Sequence, residues 1–147
     1  MNLLRVAIAA LGLSAYSLPA SGITAVCKNP TGRILGIHGK AFGGKEFDEP
    51  DGITQATFTL IWKQGAKEAQ LVSQSSGGGT PETTKPLLIF DTDEQLTFVV
   101  LYESAVWFYS LYLGPRALIM TSHNNGASID SGGAVVKSYV AKCEIGE

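Results

Sequence analysis

The sequence predicts an all-β domain: an antiparallel meander of about eight strands closed into a small barrel, with a β-sandwich as the alternative. Three observations lead there. The dominant apolar period is two, turn signals recur at short intervals, and the only two cysteines, Cys27 and Cys143, stand near opposite ends of the strand-forming region. A covalent tie between first and last strands suits a closed or nearly closed sheet, which is why the barrel is preferred.

Two short apolar runs come first, residues 23–27 and 34–38, separated by the turn signal Asn29-Pro30-Thr31-Gly32. A short helical turn is expected around residues 45–51. Residues 56–63 alternate well. Ala56, Phe58, Leu60 and Trp62 share one face, with Thr57, Thr59 and Lys63 opposite, as in a half-buried strand. Gln64-Gly65-Ala66-Lys67-Glu68 is a hairpin connection to a short strand at 69–73, and 87–90 is a further apolar run. Asp91-Thr92-Asp93-Glu94 then forms a charged turn into residues 95–102, with Leu96, Phe98, Val100 and Tyr102 on one face. Glu103-Ser104 turns the chain into 105–113, and Gly114-Pro115 stops that strand. Residues 117–122 follow, with an Asn-Gly turn signal at His123-Asn124-Asn125-Gly126, and 134–143 closes the series. The stretches 73–86 and 122–133 read as long surface connections, the kind of segment that also carries binding loops.

Residues 1–22 have the three parts of a secretion signal. Arg5 and the amino terminus supply positive charge, residues 6–13 (VAIAALGL) are apolar, and Ala20-Ser21-Gly22 puts small residues at a cleavage site. Cleavage after Ala20 or Ala25 remains open. Removal of 22 of the 147 residues leaves a single domain of 125, residues 23–147. The whole chain carries a net charge of −2, and losing Arg5 makes the remainder −3. Such a domain is unsuited to nucleic acid, where phosphate neutralisation needs a Lys/Arg surplus on one face. Beyond the signal, no uncharged apolar run approaches the ~18–20 residues of a membrane-spanning helix. Export to periplasm or medium favours oxidation, so Cys27 and Cys143 are expected to form a disulfide. Val26 stands where a lipidated cysteine would need a small residue before it, which argues against a lipid anchor at Cys27.

Aromatic side chains concentrate in the centre. Phe98, Tyr102, Trp107, Phe108, Tyr109 and Tyr112 fall within one short stretch. On 105–113 both faces are apolar or aromatic: Ala105, Trp107, Tyr109, Leu111 and Leu113 against Val106, Phe108, Ser110 and Tyr112. A strand in a one-layer sheet should have one wet face, so something covers the other. A loop, a protein interface and a ligand-lined interior all fit. Trp107 and Tyr109 share a face and are the candidates for an apolar pocket. Trp62 joins them only if its strand points the same way. Phe108 and Tyr112 are the interface candidates on the opposite face.

No catalytic constellation is legible. Ser122 neighbours His123, but adjacent strand residues point to opposite faces. No Gly-x-Ser-x-Gly elbow occurs, and two cysteines with His38 and His123 do not make a zinc set. Asp91, Asp93 and Glu94 read as a solvated turn rather than a calcium loop. No cofactor and no metal is therefore expected.

Three stretches resemble a group of small exported bacterial β-domain proteins of unassigned function. They are Asp51-Gly52-Ile53 followed by Thr57-Phe58-Thr59-Leu60, then Leu96-Thr97-Phe98-Val99-Val100, and Lys137-Ser138-Tyr139-Val140-Ala141-Lys142-Cys143. The resemblance implies a periplasmic or secreted β domain with a cysteine near each end, and no activity. The function expected is a secreted or periplasmic non-enzymatic binding domain, protein-interacting or inhibitor-like. A lipocalin-like binder of a small apolar ligand and a carboxylate-dependent hydrolase are the alternatives. A partner protein, a small ligand and a second copy of the chain are all open as partners.

Overall fold

The computed structural model describes residues 21–39, 43–53, 55–75, 77–124 and 133–146. Nearly all of the signal segment lies outside these residues, as do Asn125 and Gly126 of the Asn-Gly turn. The described chain is all strand and turn: β1 (Gly22–Ile37), β2 (Glu46–Gly52), β3 (Thr57–Lys63), β4 (Gln70–Gln74), β5 (Glu82–Thr84), β6 (Leu87–Asp91), β7 (Gln95–Leu101), β8 (Ala105–Tyr112), β9 (Ala117–Asn124) and β10 (Ala134–Gly146). They build one antiparallel sheet in the order β5-β4-β3-β1-β10-β9-β8-β7-β6, with β2 paired to β1 beside this path. The sheet curls into an open half-barrel. The all-β antiparallel expectation therefore holds. The curl stops short of closure. Its two ends are joined by backbone hydrogen bonds where residues 67–69 touch the start of β6, Leu88 N–H to Lys67 O (2.8 Å) and Ala69 N–H to Pro86 O (3.0 Å).

Among the described residues the strand count is ten rather than about eight, and each difference has a local cause. The runs expected at 23–27 and 34–38 are one strand, β1, because β10 pairs along its whole length. The intervening turn signal survives as a bulge between Lys28 and Thr31, where Asn29 adopts a left-handed φ of 52°. At that bulge the sheet forks. The first half of β1 pairs with β3 and the second half with β2. The fork is stitched by Asn29 N–H to Ala56 O (3.0 Å) and by Gln55 N–H to Asn29 Oδ1 (3.0 Å). The helical turn expected around 45–51 is instead β2. Pairing to β1 and the Arg33–Asp48 ion pair (2.7 Å) override a local preference in a segment carrying Pro50, which an edge strand tolerates. The connection expected at 73–86 contains β5, which pairs with β4.

Alternation sets the core. Ala25 and Cys27, Phe58, Leu60 and Trp62, Leu71, Leu96, Phe98 and Val100, Tyr109 and Leu111, Leu118 and Met120, and Tyr139, Ala141 and Cys143 all face inward and are buried. Cys27 and Cys143 are directly opposed, with Cα atoms 4.0 Å apart and their sulfurs bonded. The Cys143 N–H is committed to Arg116 O (2.9 Å), away from β1. The pair is therefore of the non-hydrogen-bonded kind, in which opposed strands approach most closely. Among the described residues, no helix is long and apolar enough to cross a membrane.

The convex face is unusually apolar. Val99, Val106, Phe108, Tyr112 and Ile119 are half-buried there, and Leu101 is 72% exposed. Leu87, Phe90 and Val140 are also exposed.

Candidate functional site

The inward face of β8 carries Trp107 and Tyr109, as its alternation requires. Tyr109 is buried and Trp107 half-buried. The two rings stack with centroids 6.0 Å apart at 19°, and Trp107 is also nearly parallel to Tyr139, at 6.4 Å and 4°. Trp107 and Tyr109 line a cleft of about 440 Å³ between β3, β4 and β5 on one side and the β7–β8 turn and β8 on the other. Ile53, Ala56, Phe58, Ala105, Trp107 and Tyr109 form its apolar part. Ser73, Gln74, Ser75, Glu82, Tyr102, Ser104 and Asn124 form its polar part.

Register explains how these groups meet. Glu82, Ser73, Phe58 and Cys27 are successive partners across β5, β4, β3 and β1, so Glu82 belongs to the inward row of buried Phe58. A second inward row runs Asp51, Gly32, Tyr139, Met120, Tyr109 and Phe98. Gly32 matters because its neighbour Tyr139 can lie across it. The Tyr139 phenol donates to Asp51 Oδ2 at 2.6 Å, two strands away. A methyl at Gly32 would overlap the Ser138 carbonyl. Lys137 Nζ approaches the same carboxylate at 3.9 Å.

The low-dielectric setting shows in the phenols. Burial, then Tyr102 and Glu82, push the Tyr109 hydroxyl well above the ordinary tyrosine range. Tyr102 is raised by burial and then by Glu82, partly offset by a hydrogen bond with Thr84. Tyr139 is raised well above that range by burial and by Asp51. All three rings are therefore neutral at physiological pH. Ser122 is fully buried, and neither its Oγ nor Asn124 Oδ1 has a hydrogen-bond partner among the described residues.

The other sequence candidates lie elsewhere. Trp62 does point inward, but it lines a second cleft of about 480 Å³ with Asp91, Asp93, Leu96 and Leu113, beyond the far end of β8. Its Nε1–H donates to Ala66 O at 2.8 Å. Phe108 and Tyr112 sit on the convex face. Asp91, Asp93 and Glu94 are exposed in the β6–β7 turn, which Thr92 Oγ1 organises by accepting from the Gln95 N–H (3.1 Å). His123 is exposed on the face opposite Ser122, and His38 packs on Phe47 with centroids 4.6 Å apart. Among the described residues, no three His, Cys, Asp or Glu side chains converge as a metal site would need.

Sequence reasoning missed Tyr139 and Glu82. Tyr139 had a usable signal, since it shares strand parity with Cys143 and so faces wherever the disulfide faces. Glu82 had none, because β5 is three residues long in a polar stretch. The chain matches no protein-family model, no curated protein and no solved structure.

Proposed function

We propose that the protein is an exported, non-enzymatic binding domain whose working surface is the cleft at Trp107 and Tyr109, where it takes a small ligand with an apolar body. The observation that carries this is the cleft itself: a half-buried tryptophan stacked on a tyrosine beside about 440 Å³ of open space. Concave sites with an apolar lining and a few polar groups are the usual form of small-molecule sites. The leader-like residues 1–22 and the Cys27–Cys143 bond support export, and the pattern-level resemblance to small exported β-domain proteins agrees with it. The cleft offers rings, hydroxyls and one carboxylate; Ser73 faces Glu82 across the strands, but among the described residues no hydrogen bond joins them and no histidine lines the cleft, which favours binding over catalysis. The test is displacement of the neutral dye N-phenyl-1-naphthylamine from the oxidised domain. Binding should be lost in Trp107→Ala and retained in Phe108→Ala. Retention in Trp107→Ala, with the fold intact by circular dichroism, would refute the assignment.

A second reading is a protein-interaction or inhibitor-like role for the convex face. Exposed Leu101, Phe90, Leu87 and Val140 favour it, because contiguous exposed apolar surface commonly marks contact sites. Its test is loss of a stoichiometric partner from the native compartment in Leu101→Asp, with cleft binding unchanged.

A further inference from the structure

We propose that the cleft is selective for an organic ammonium group, so that its ligand is a cation with an apolar tail. This rests on the cleft being the binding site and adds the ligand's charge. Glu82 is the only charged side chain among the described residues lining the cleft. Register puts it in the inward row of Ser73 and Phe58, at the mouth. Tyr102, Tyr109 and Trp107 line the same space, so three electron-rich ring systems and one carboxylate share it. A cation over aromatic faces is attracted by the ring quadrupoles, most strongly by tryptophan, and a neighbouring carboxylate adds direct attraction. The phenols are held in their neutral form by burial, so the rings stay neutral walls rather than titrating groups. Lys137, a positive charge on the inward face, approaches Asp51 at 3.9 Å and does not line the cleft. An anionic head would meet Glu82 with nothing to offset it. A neutral head would forgo the attraction.

The experiment is calorimetric titration of the oxidised domain with three probes sharing one tail: hexyltrimethylammonium, 1-hexanol and hexanesulfonate. The ammonium should bind about tenfold or more tighter than hexanol, the gain expected of a partly desolvated cation–aromatic contact beside a carboxylate. The sulfonate should bind most weakly. Glu82→Gln lies on an exposed three-residue edge strand and should fold normally. It should cut ammonium affinity several-fold and leave hexanol unchanged. Equal affinities for ammonium and hexanol, or a preference that persists unchanged in Glu82→Gln, would overturn charge selection while leaving the cleft as a binding site. Failure of all three probes would overturn both.

Discussion

Removing the Cys27–Cys143 bond should destabilise the domain by about 5 kcal/mol. The bond joins residues 116 positions apart. Loop-closure entropy for a loop of that length is about 16 cal/mol/K, or about 5 kcal/mol at 25 °C. The native side of the balance changes little. Backbone pairing along both their lengths holds β1 and β10 in register beside the bond, and the two sulfurs are buried in a directly opposed pair. The effect therefore acts on the unfolded chain, which the bond holds in one large ring. The assay is urea unfolding of the oxidised domain and of Cys27→Ala/Cys143→Ala, followed by tryptophan emission. With an m-value of roughly 1–2 kcal/mol/M, the midpoint should fall by about 2.5–5 M. The open variant should also show the larger m-value, because its unfolded chain is less compact. A midpoint shift below about 0.5 M with an unchanged m-value would refute the reasoning. It would mean that the sheet already restricts the unfolded chain as strongly as the bond does.

Three further outcomes are expected. Tyr139→Phe leaves the half-buried Asp51 carboxylate without its 2.6 Å donor and should cost about 1–3 kcal/mol in thermal unfolding, as loss of a hydrogen bond to a charged group does. A cost under about 0.3 kcal/mol would show that Lys137 and water satisfy the carboxylate. Gly32→Ala places a methyl against the Ser138 carbonyl at the strand pairing that carries the disulfide, and should lower stability by about 1–3 kcal/mol or more; an unchanged melting temperature would contradict that close approach. Tyr109 and Tyr139 bind their protons more tightly folded than unfolded, so their contribution is complete below the unfolded value of about 10 and is lost as pH rises beyond it. Absorbance titration at 295 nm should then show two tyrosines that ionise only as the fold opens, whereas a single step near pH 10 with the fold intact would contradict their burial.

Alternation made most of the sheet legible. The inward set of β8 and the faces of β3 and β7 could be read from spacing alone, because each face has one fate in a one-layer sheet. β2 and β5 were not legible. Glu46–Gly52 is acidic and contains a proline, and it is a strand because β1 presents a free edge beyond its bulge. The pairing was also hidden at Asn29-Pro30, where the same residues serve equally as a turn or as a bulge. A turn ends the pairing, whereas this bulge passes β1 on to β10 and forks its other edge. The cleft was half legible. Trp107 and Tyr109 belong to it, yet Trp62 shares their face and lies in another cleft, because parity fixes a face and says nothing about position along the strand. Glu82 enters the cleft by curvature, which brings the last strands of one end toward the turn at Tyr102.

The most direct test uses the two indole N–H resonances of the domain, those of Trp62 and Trp107, in a nitrogen-15 correlation spectrum. Trp62 is tied to Ala66 O in one cleft and Trp107 borders the other, so each reports on its own end of the half-barrel. On titration with hexyltrimethylammonium, the Trp107 signal should move to saturation while the Trp62 signal stays in place. Movement of Trp62 alone would put the binding surface at the opposite end, and stationary signals from both at saturating probe would contradict a ligand site in the cleft.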